Sequence, residues 1–222
     1  MKIAIDGPSG AGKSSVAKAL ARELGIIYVD TGALYRTVGY YVKSRGIPMQ
    51  DRVGIIACLP EIHLSLEYRD GTQSVILNGV DLGDAIRQQD IAMYASAVSA
   101  IPEVRAFLLE TQRDIARKNS VVMDGRDIGT VILPDAEVKI FLTAPVEERA
   151  RRRFDELRAK GIEVTFEEVL EQMKQRDAQD AGRDIAPAIA AEDAVTLDNS
   201  GYTVEDSVEA VKKIIRDKMG RL

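Results

Sequence analysis

Gly7-Pro8-Ser9-Gly10-Ala11-Gly12-Lys13-Ser14 follows directly on Met1-Lys2-Ile3-Ala4-Ile5-Asp6, and this junction decides the fold. It fits G-x-x-x-x-G-K-[ST] without a mismatch. The apolar run ahead of it suits a short buried strand. Behind it, Val16, Ala17, Leu20, Ala21 and Leu24 recur at helical spacing until Gly25 ends the helix. Strand, glycine loop and helix N-terminus together gather backbone N–H groups around one anionic pocket. The glycines allow the backbone to approach phosphate without a Cβ in the way. Lys13 is expected to reach β- and γ-phosphates, and the Ser14 hydroxyl to ligate Mg²⁺. The stretch therefore predicts a nucleoside triphosphate site.

The totals narrow the class. A chain of 222 residues suffices for one large α/β domain, and 45% hydrophobic with 29% charged residues is ordinary for a soluble globular protein. No apolar run approaches the roughly 20 residues of a membrane helix. Asp6 interrupts the N-terminal apolar stretch, so no signal peptide is expected. The one cysteine, Cys58, excludes an internal disulfide framework, fits a reducing cytoplasmic compartment, and reads as a small buried hydrophobe. A net charge of −5 argues against general binding to nucleic acid or a membrane surface.

Beyond the first helix, residues 26–29 read as a second buried strand ending at Asp30. Asp30 to Arg36 opens a helix running to about Ser44, with Thr31 as the expected N-cap. Ile62, Leu64, Leu66 and Tyr68 then alternate with His63, Ser65 and Glu67, the period of a half-buried antiparallel strand. Asp70-Gly71 and Asn78-Gly79 are hairpin signals around Val75-Ile76-Leu77, so residues 60–83 are expected to form an inserted meander. His63, the only histidine, falls on its polar face and reads as solvated. Helices are predicted over 84–100 and 102–118, the second begun by Pro102.

Ser120 to Asp124 is an apolar strand ending in a carboxylate, the pattern that helps hold Mg²⁺ and its waters. Arg126 and Asp127 continue past its end. Strands are predicted at 138–142 and 194–198, and a closing amphipathic helix at 204–219. Between them lies a basic helix over 146–160, a turn at Gly161, and a helix over about 165–179. Arg149 and Arg153, four residues apart, share a helix face, while Arg151, Arg152 and Arg158 read as a solvated one. Arg176, Asp180 and Arg183 fall on one face if the second helix persists.

Strands alternating with helices imply an α/β P-loop nucleoside triphosphate hydrolase fold: a five-stranded parallel sheet with helices on both faces and the phosphate loop at the carboxyl edge of a central strand. The expected core spans 1–59, 101–148 and 185–222, the acceptor-binding insert about 60–100, and a helical lid about 149–184. A guanine-reading switch would need N-K-x-D, and the chain contains no such string. A small-molecule kinase needs a second anionic pocket and a closing lid. Arg36, Arg105 and Arg126 offer the pocket and residues 149–183 the lid.

Along almost its whole length the chain resembles bacterial cytidylate kinases. The carriers are IDGPSGAGKS at 5–14, DTGALYR at 30–36, DGRDIGTVILPDA at 124–136, KIFLTAPVEERARRR at 139–153 and RDAQDAGRDIAP at 176–187. The resemblance implies transfer of the ATP γ-phosphoryl to CMP or dCMP with Mg²⁺, by a monomer in the cytoplasm. Another small acceptor, such as UMP or AMP, is the alternative. It implies that Gly7, Pro8, Ser9, Gly10, Ala11, Gly12, Lys13, Ser14 and Ser15 bind ATP, and that Arg149 and Arg153 stack on adenine or close over its phosphates. Lys13, Arg126 and Arg153 would serve catalysis, and Ser14 with Asp124, through water, the metal. Thr31, Tyr35, Arg36 and Arg126 would hold the acceptor phosphate. Ser96, Arg105, Asp127 and Arg183 would read the cytosine ring, and Arg176 and Asp180 bind the ribose hydroxyls. A carboxylate accepts from the exocyclic amine of cytosine, so Asp127 would discriminate against uracil, which presents a carbonyl there. Thr31 stands where serine is frequent in the family, and Ser14-Ser15 where Gly-Thr is common; both keep hydroxyls nearby.

Overall fold

The computed structural model describes residues 1–69, 72–183 and 185–220. Its first strand, β1 (Lys2–Asp6), buries Ile3, Ala4 and Ile5 completely. A run without polar alternation is what a strand covered on both faces requires. The first helix, α1 (Lys13–Leu24), starts from Gly12 and stops at Gly25, both in the left-handed region. The Gly25 N–H then closes on the carbonyls of Ala21 and Arg22. In chain order there follow β2 (Ile27–Asp30), α2 (Thr31–Ser44), α3 (Arg52–Cys58), β3 (Leu64–Arg69), β4 (Thr72–Leu77), β5 (Val80–Asp81), α4 (Gln89–Ser99) and α5 (Pro102–Lys118). The second half contains β6 (Val121–Gly125), β7 (Val138–Thr143), α6 (Val146–Ala159), α7 (Phe166–Ala181), β8 (Val195–Asp198) and α8 (Val204–Met219).

The five-stranded parallel sheet has the order β2-β6-β1-β7-β8, so the strand feeding the glycine loop is central, as expected. Ile5 pairs with Asp124 on one side and with Ile140 on the other. This register sets the ends of β1 and β6 side by side, which places the loop beside the Asp124 carboxylate. The meander is the expected small antiparallel sheet, β3-β4-β5, with Leu77 opposite Val80. Asn78 and Gly79 both take positive φ, 50° and 83°, the two-residue hairpin geometry that Asn-Gly favours. The expected Asp70-Gly71 turn lies outside the described residues. His63 is exposed, as expected.

Three local expectations need correction. Asp30, not Thr31, caps α2: its carboxylate accepts from the Ala33 N–H at 2.9 Å, which makes Thr31 the first helical residue. Residues 84–100 are not one helix, because extended Gln88 separates a short 3₁₀ segment (Gly83–Arg87) from α4. Of the arginines read as a solvated face, Arg151 and Arg158 are exposed as expected while still lying over aromatic rings, and Arg152 is only half-exposed. Arg151 lies 4.3 Å from the Phe166 ring centroid, Arg158 lies 5.7 Å from that of Phe154, and Arg152 donates to Asn199.

The chain divides into two compact units, Met1–Ile26 with Ser120–Leu222, and Ile27–Asn119. The second has its own core, in which Leu34, Val38, Val42, Ile55, Val98, Val104 and Leu108 are fully buried. Each such side chain contributes about 1.5–3 kcal/mol of burial. Within the first unit, α6 and α7 share a smaller cluster of Ala150, Leu157, Val169 and Met173, edged by a Phe154–Phe166 contact. No single described helix is long and apolar enough to cross a membrane.

Candidate active site

The loop at residues 7–14 is held by its neighbours at every point. A Cβ on Gly7, whose φ is 146°, would lie 2.0 Å from the Leu142 carbonyl oxygen, so only glycine lets the chain leave β1 against β7. A Cβ on Gly10 would meet Met173 Cε at 2.7 Å, which shows how closely α7 packs on the loop. Asn199 Nδ2 donates to the Ala11 carbonyl at 3.0 Å. Arg149, buried on α6, donates to the Ser9 carbonyl, the Ala144 carbonyl and Asp177 at 2.7–2.8 Å. Ser15 is exposed on the first turn of α1.

Lys13 is buried, and its amine donates to the Pro8 carbonyl at 2.6 Å. Burial, followed by the positive charges of Arg126 and Arg176, lowers its proton affinity well below that of an ordinary lysine. Asp124 and Asp6 oppose that shift. The Ser14 hydroxyl donates to Asp124 at 2.7 Å, so the two residues expected at the metal are brought together. Hard oxygen donors of this kind suit Mg²⁺, which takes one or two protein oxygens and completes its shell with phosphate and water. Among the described residues no cluster of three or more His, Cys, Asp or Glu side chains offers a metal cage. The pair fits an ion that arrives with a nucleotide.

Past β6, Arg126 Nε donates to Asp180 at 2.8 Å, and Arg183 pairs with the other oxygen of the same carboxylate. Burial alone would raise the Asp180 carboxyl, but the two arginine charges together hold it below its ordinary value. Asp180 thus gathers Arg126 and Arg183, but α7 ends at Ala181, so the single helix face expected for Arg176, Asp180 and Arg183 does not reach Arg183. Asp127 is buried, and its carbonyl accepts from Val131 and Ile132 across a single π-helical turn, Ile128–Ile132. Arg149 and Arg153 do not act alike. Arg153 has a side chain 41% exposed and pairs with Glu156.

The second unit carries the other expected residues. Arg36 donates to Asp30 at 2.7 Å, while its buried Nε has no partner among the described residues. The Arg105 guanidinium sits 5.6 Å from the Tyr35 ring centroid and donates to the Ser99 carbonyl at 3.1 Å. Thr31 is buried at the start of α2, and Ser96 is half-buried on α4. Those two helices pack tightly at Gly39, where a Cβ would lie 2.9 Å from the Ala95 nitrogen.

Sequence reasoning missed Asp6, Asp177 and Asn199, each a buried or half-buried support of the loop. Asp6 stood in plain view as a lone carboxylate ending an apolar strand. Asp177 and Asn199 owe their roles to contacts 28 and 188 residues away, and carried no local signal.

The family described as Cytidylate kinase matches residues 3–217. The chain is 46% identical over 220 residues to the protein named Cytidylate kinase of Caldicellulosiruptor saccharolyticus, covering 99% of this chain and 97% of that one. It is 50% identical over 216 residues to the protein of that name from Caldanaerobacter subterraneus subsp. tengcongensis, covering 97% and 95%. Among solved structures, an uncharacterized protein from Eubacterium ventriosum ATCC 27560 superposes with a TM-score of 0.52 at 17% identity, covering 98% of each chain; that likeness concerns the fold alone.

Proposed function

The chain belongs to the cytidylate kinase family, and from that premise we propose that it transfers the γ-phosphoryl of ATP to CMP or dCMP, yielding ADP with CDP or dCDP. The observation that carries the reading is the Ser14–Asp124 bond beside a buried lysine set among Arg126 and Arg176. That combination is built for a polyphosphate with its metal ion rather than for a lone anion. When bound, Mg²⁺ on Ser14, and through water on Asp124, would neutralise charge on the β- and γ-phosphates.

The chain's own residues would do the rest. Lys13 turns from the Pro8 carbonyl to the phosphates, and the loop N–H groups hold them. Thr31, Tyr35, Arg36 and Arg126 grip the acceptor phosphate; the partnerless Arg36 Nε is a donor ready for it. Asp127, Ser96, Arg105 and Arg183 read cytosine, and Arg176 and Asp180 the ribose. Asp180 has both oxygens committed to arginines, so it also orients Arg126. No enzyme nucleophile is needed: the acceptor phosphate oxygen attacks in line while cations stabilise the spreading charge. Closure of α6 and α7, with Arg153, would exclude water and suppress hydrolysis. The reading places a monomer in the cytoplasm, within pyrimidine nucleotide metabolism.

An ADP-release assay with CMP, dCMP, UMP and AMP as acceptors tests it. CMP and dCMP should outrun UMP and AMP by at least about tenfold in kcat/KM, the discrimination one misplaced hydrogen bond provides. A fastest rate with AMP or UMP, or ADP release indifferent to acceptor, would refute it.

A further inference from the structure

We propose that Asp6 is a positioning residue for phosphoryl transfer: its carboxylate ties the start of the phosphate loop to the segment carrying Arg126 and Asp127. The proposal rests on the kinase reading above. Asp6 Oδ1 accepts from the Ile128 N–H at 2.8 Å and Oδ2 from the Gly129 N–H at 2.7 Å. Gly7 is the next residue after Asp6, and Asp127 the one before Ile128. One side chain therefore fastens both segments at the points where they become functional.

The local chain accommodates this contact on both sides. A Cβ on Gly129 would lie 3.2 Å from Lys139 Cδ, a tight approach, and 3.4 Å from Asp6 Oδ2, an ordinary contact. The π-helical turn begins at the same place, with Val131 and Ile132 both donating to the Asp127 carbonyl. Single π turns commonly accompany functional sites, because they re-aim one residue in an otherwise regular chain. With its first two N–H groups bound to Asp6, this turn fixes the backbone on which Arg126 and Asp127 are carried.

A carboxylate is an unfavourable fastener if the fold alone is at stake. Asp6 is 4% exposed, and burial, outweighing the two backbone donors, raises its pKa to about 6. Asp127 adds to that rise, and Lys13 opposes it. Since the folded value lies above the unfolded one, the stability this group contributes is complete at low pH and is lost as pH rises through about 6. At neutral pH the charge works against folding. A stability penalty placed between two functional segments marks a constraint of function.

Asp6→Asn keeps the shape and one acceptor oxygen but turns an amide toward an N–H donor. Kinetics of ADP release should show kcat reduced about 10- to 100-fold, the loss expected of an ångström-scale displacement, with the KM for ATP within about threefold. The melting temperature should stay within about 4 °C. Unchanged kcat in the folded variant would overturn the proposal, as would a loss of activity matched by lost ATP affinity and lost stability. If Asp6→Asn does not fold, Asp6→Ser removes one of the two acceptor oxygens without adding bulk and should lower kcat at least about 10-fold; full activity there would also overturn it. Acceptor-independent ADP release by the unsubstituted protein would instead refute the kinase reading, and the proposal would fall with it.

Discussion

Lys13 shows most directly how single residues are set for anion chemistry. Its amine is desolvated and surrounded by Arg126 and Arg176, with Asp124 and Asp6 in partial compensation. A lysine whose proton affinity falls on folding lowers stability when charged at neutral pH, so the arrangement is unfavourable until negative charge arrives. Lys13→Ala should therefore separate two quantities. We expect kcat to fall at least about 10²- to 10³-fold, as removal of one preorganised charge does elsewhere. The melting temperature should be unchanged or higher. Kinetics and thermal unfolding of the one variant check both, and substantial activity would remove Lys13 from the mechanism. Arg149 belongs to the same scale. Its sequence position beside Arg153 suggested a pair acting together, yet helical spacing says nothing about which of two arginines meets the loop backbone. Burial decided that, through carbonyls of Ser9 and Ala144 that no periodicity encodes.

Among the elements, α7 combines a capped N-terminus with lateral contacts to α6 and the phosphate loop. Thr165 accepts from the Glu168 N–H while Glu168 accepts from the Thr165 N–H, a complete capping box. Its apolar face is short, with Val169 and Met173 the buried positions besides Asp180. Met173 in turn packs where a Gly10 side chain would stand, so order in this helix bears on the phosphate loop. Thr165→Ala should cost about 1 kcal/mol, and hydrogen exchange should localise the loss to the first turns of α7. Unchanged exchange there would show that packing, not the cap, holds the helix. Element type was legible wherever the periodicity was long: α5 and α8 begin and end where Pro102 and the apolar spacing place them. Boundaries failed where side chains compete for backbone donors. Asp30 and Thr31 are both good caps in sequence, and the distance to the Ala33 N–H chose between them. The short α3 escaped notice because seven residues containing Gly54 carry little helical signal.

At the scale of the whole chain, the alternation of strands and helices made the parallel sheet readable before any coordinates, and the glycine loop named its central strand. The division at residues 26/27 and 119/120 was not readable. Neither boundary has a glycine- or proline-rich linker, since each lies inside the strand-and-helix alternation itself. The candidate site was legible in its charged residues and opaque in their supports, because a side chain such as Asn199 is recruited by distance in space rather than in sequence. Compactness of the second unit has a practical corollary through Cys58. It is the only thiol in the chain, 4% exposed, and donates to the Ile55 carbonyl, and burial raises its pKa. It should react with a chromogenic disulfide at least about a thousandfold more slowly than in the unfolded chain, equivalent to about 4 kcal/mol of opening. Labelling near the unfolded rate would contradict that burial. Cys58 is in effect a built-in clock, whose ticks count the openings of residues 27–119 and can be timed without attaching any foreign probe.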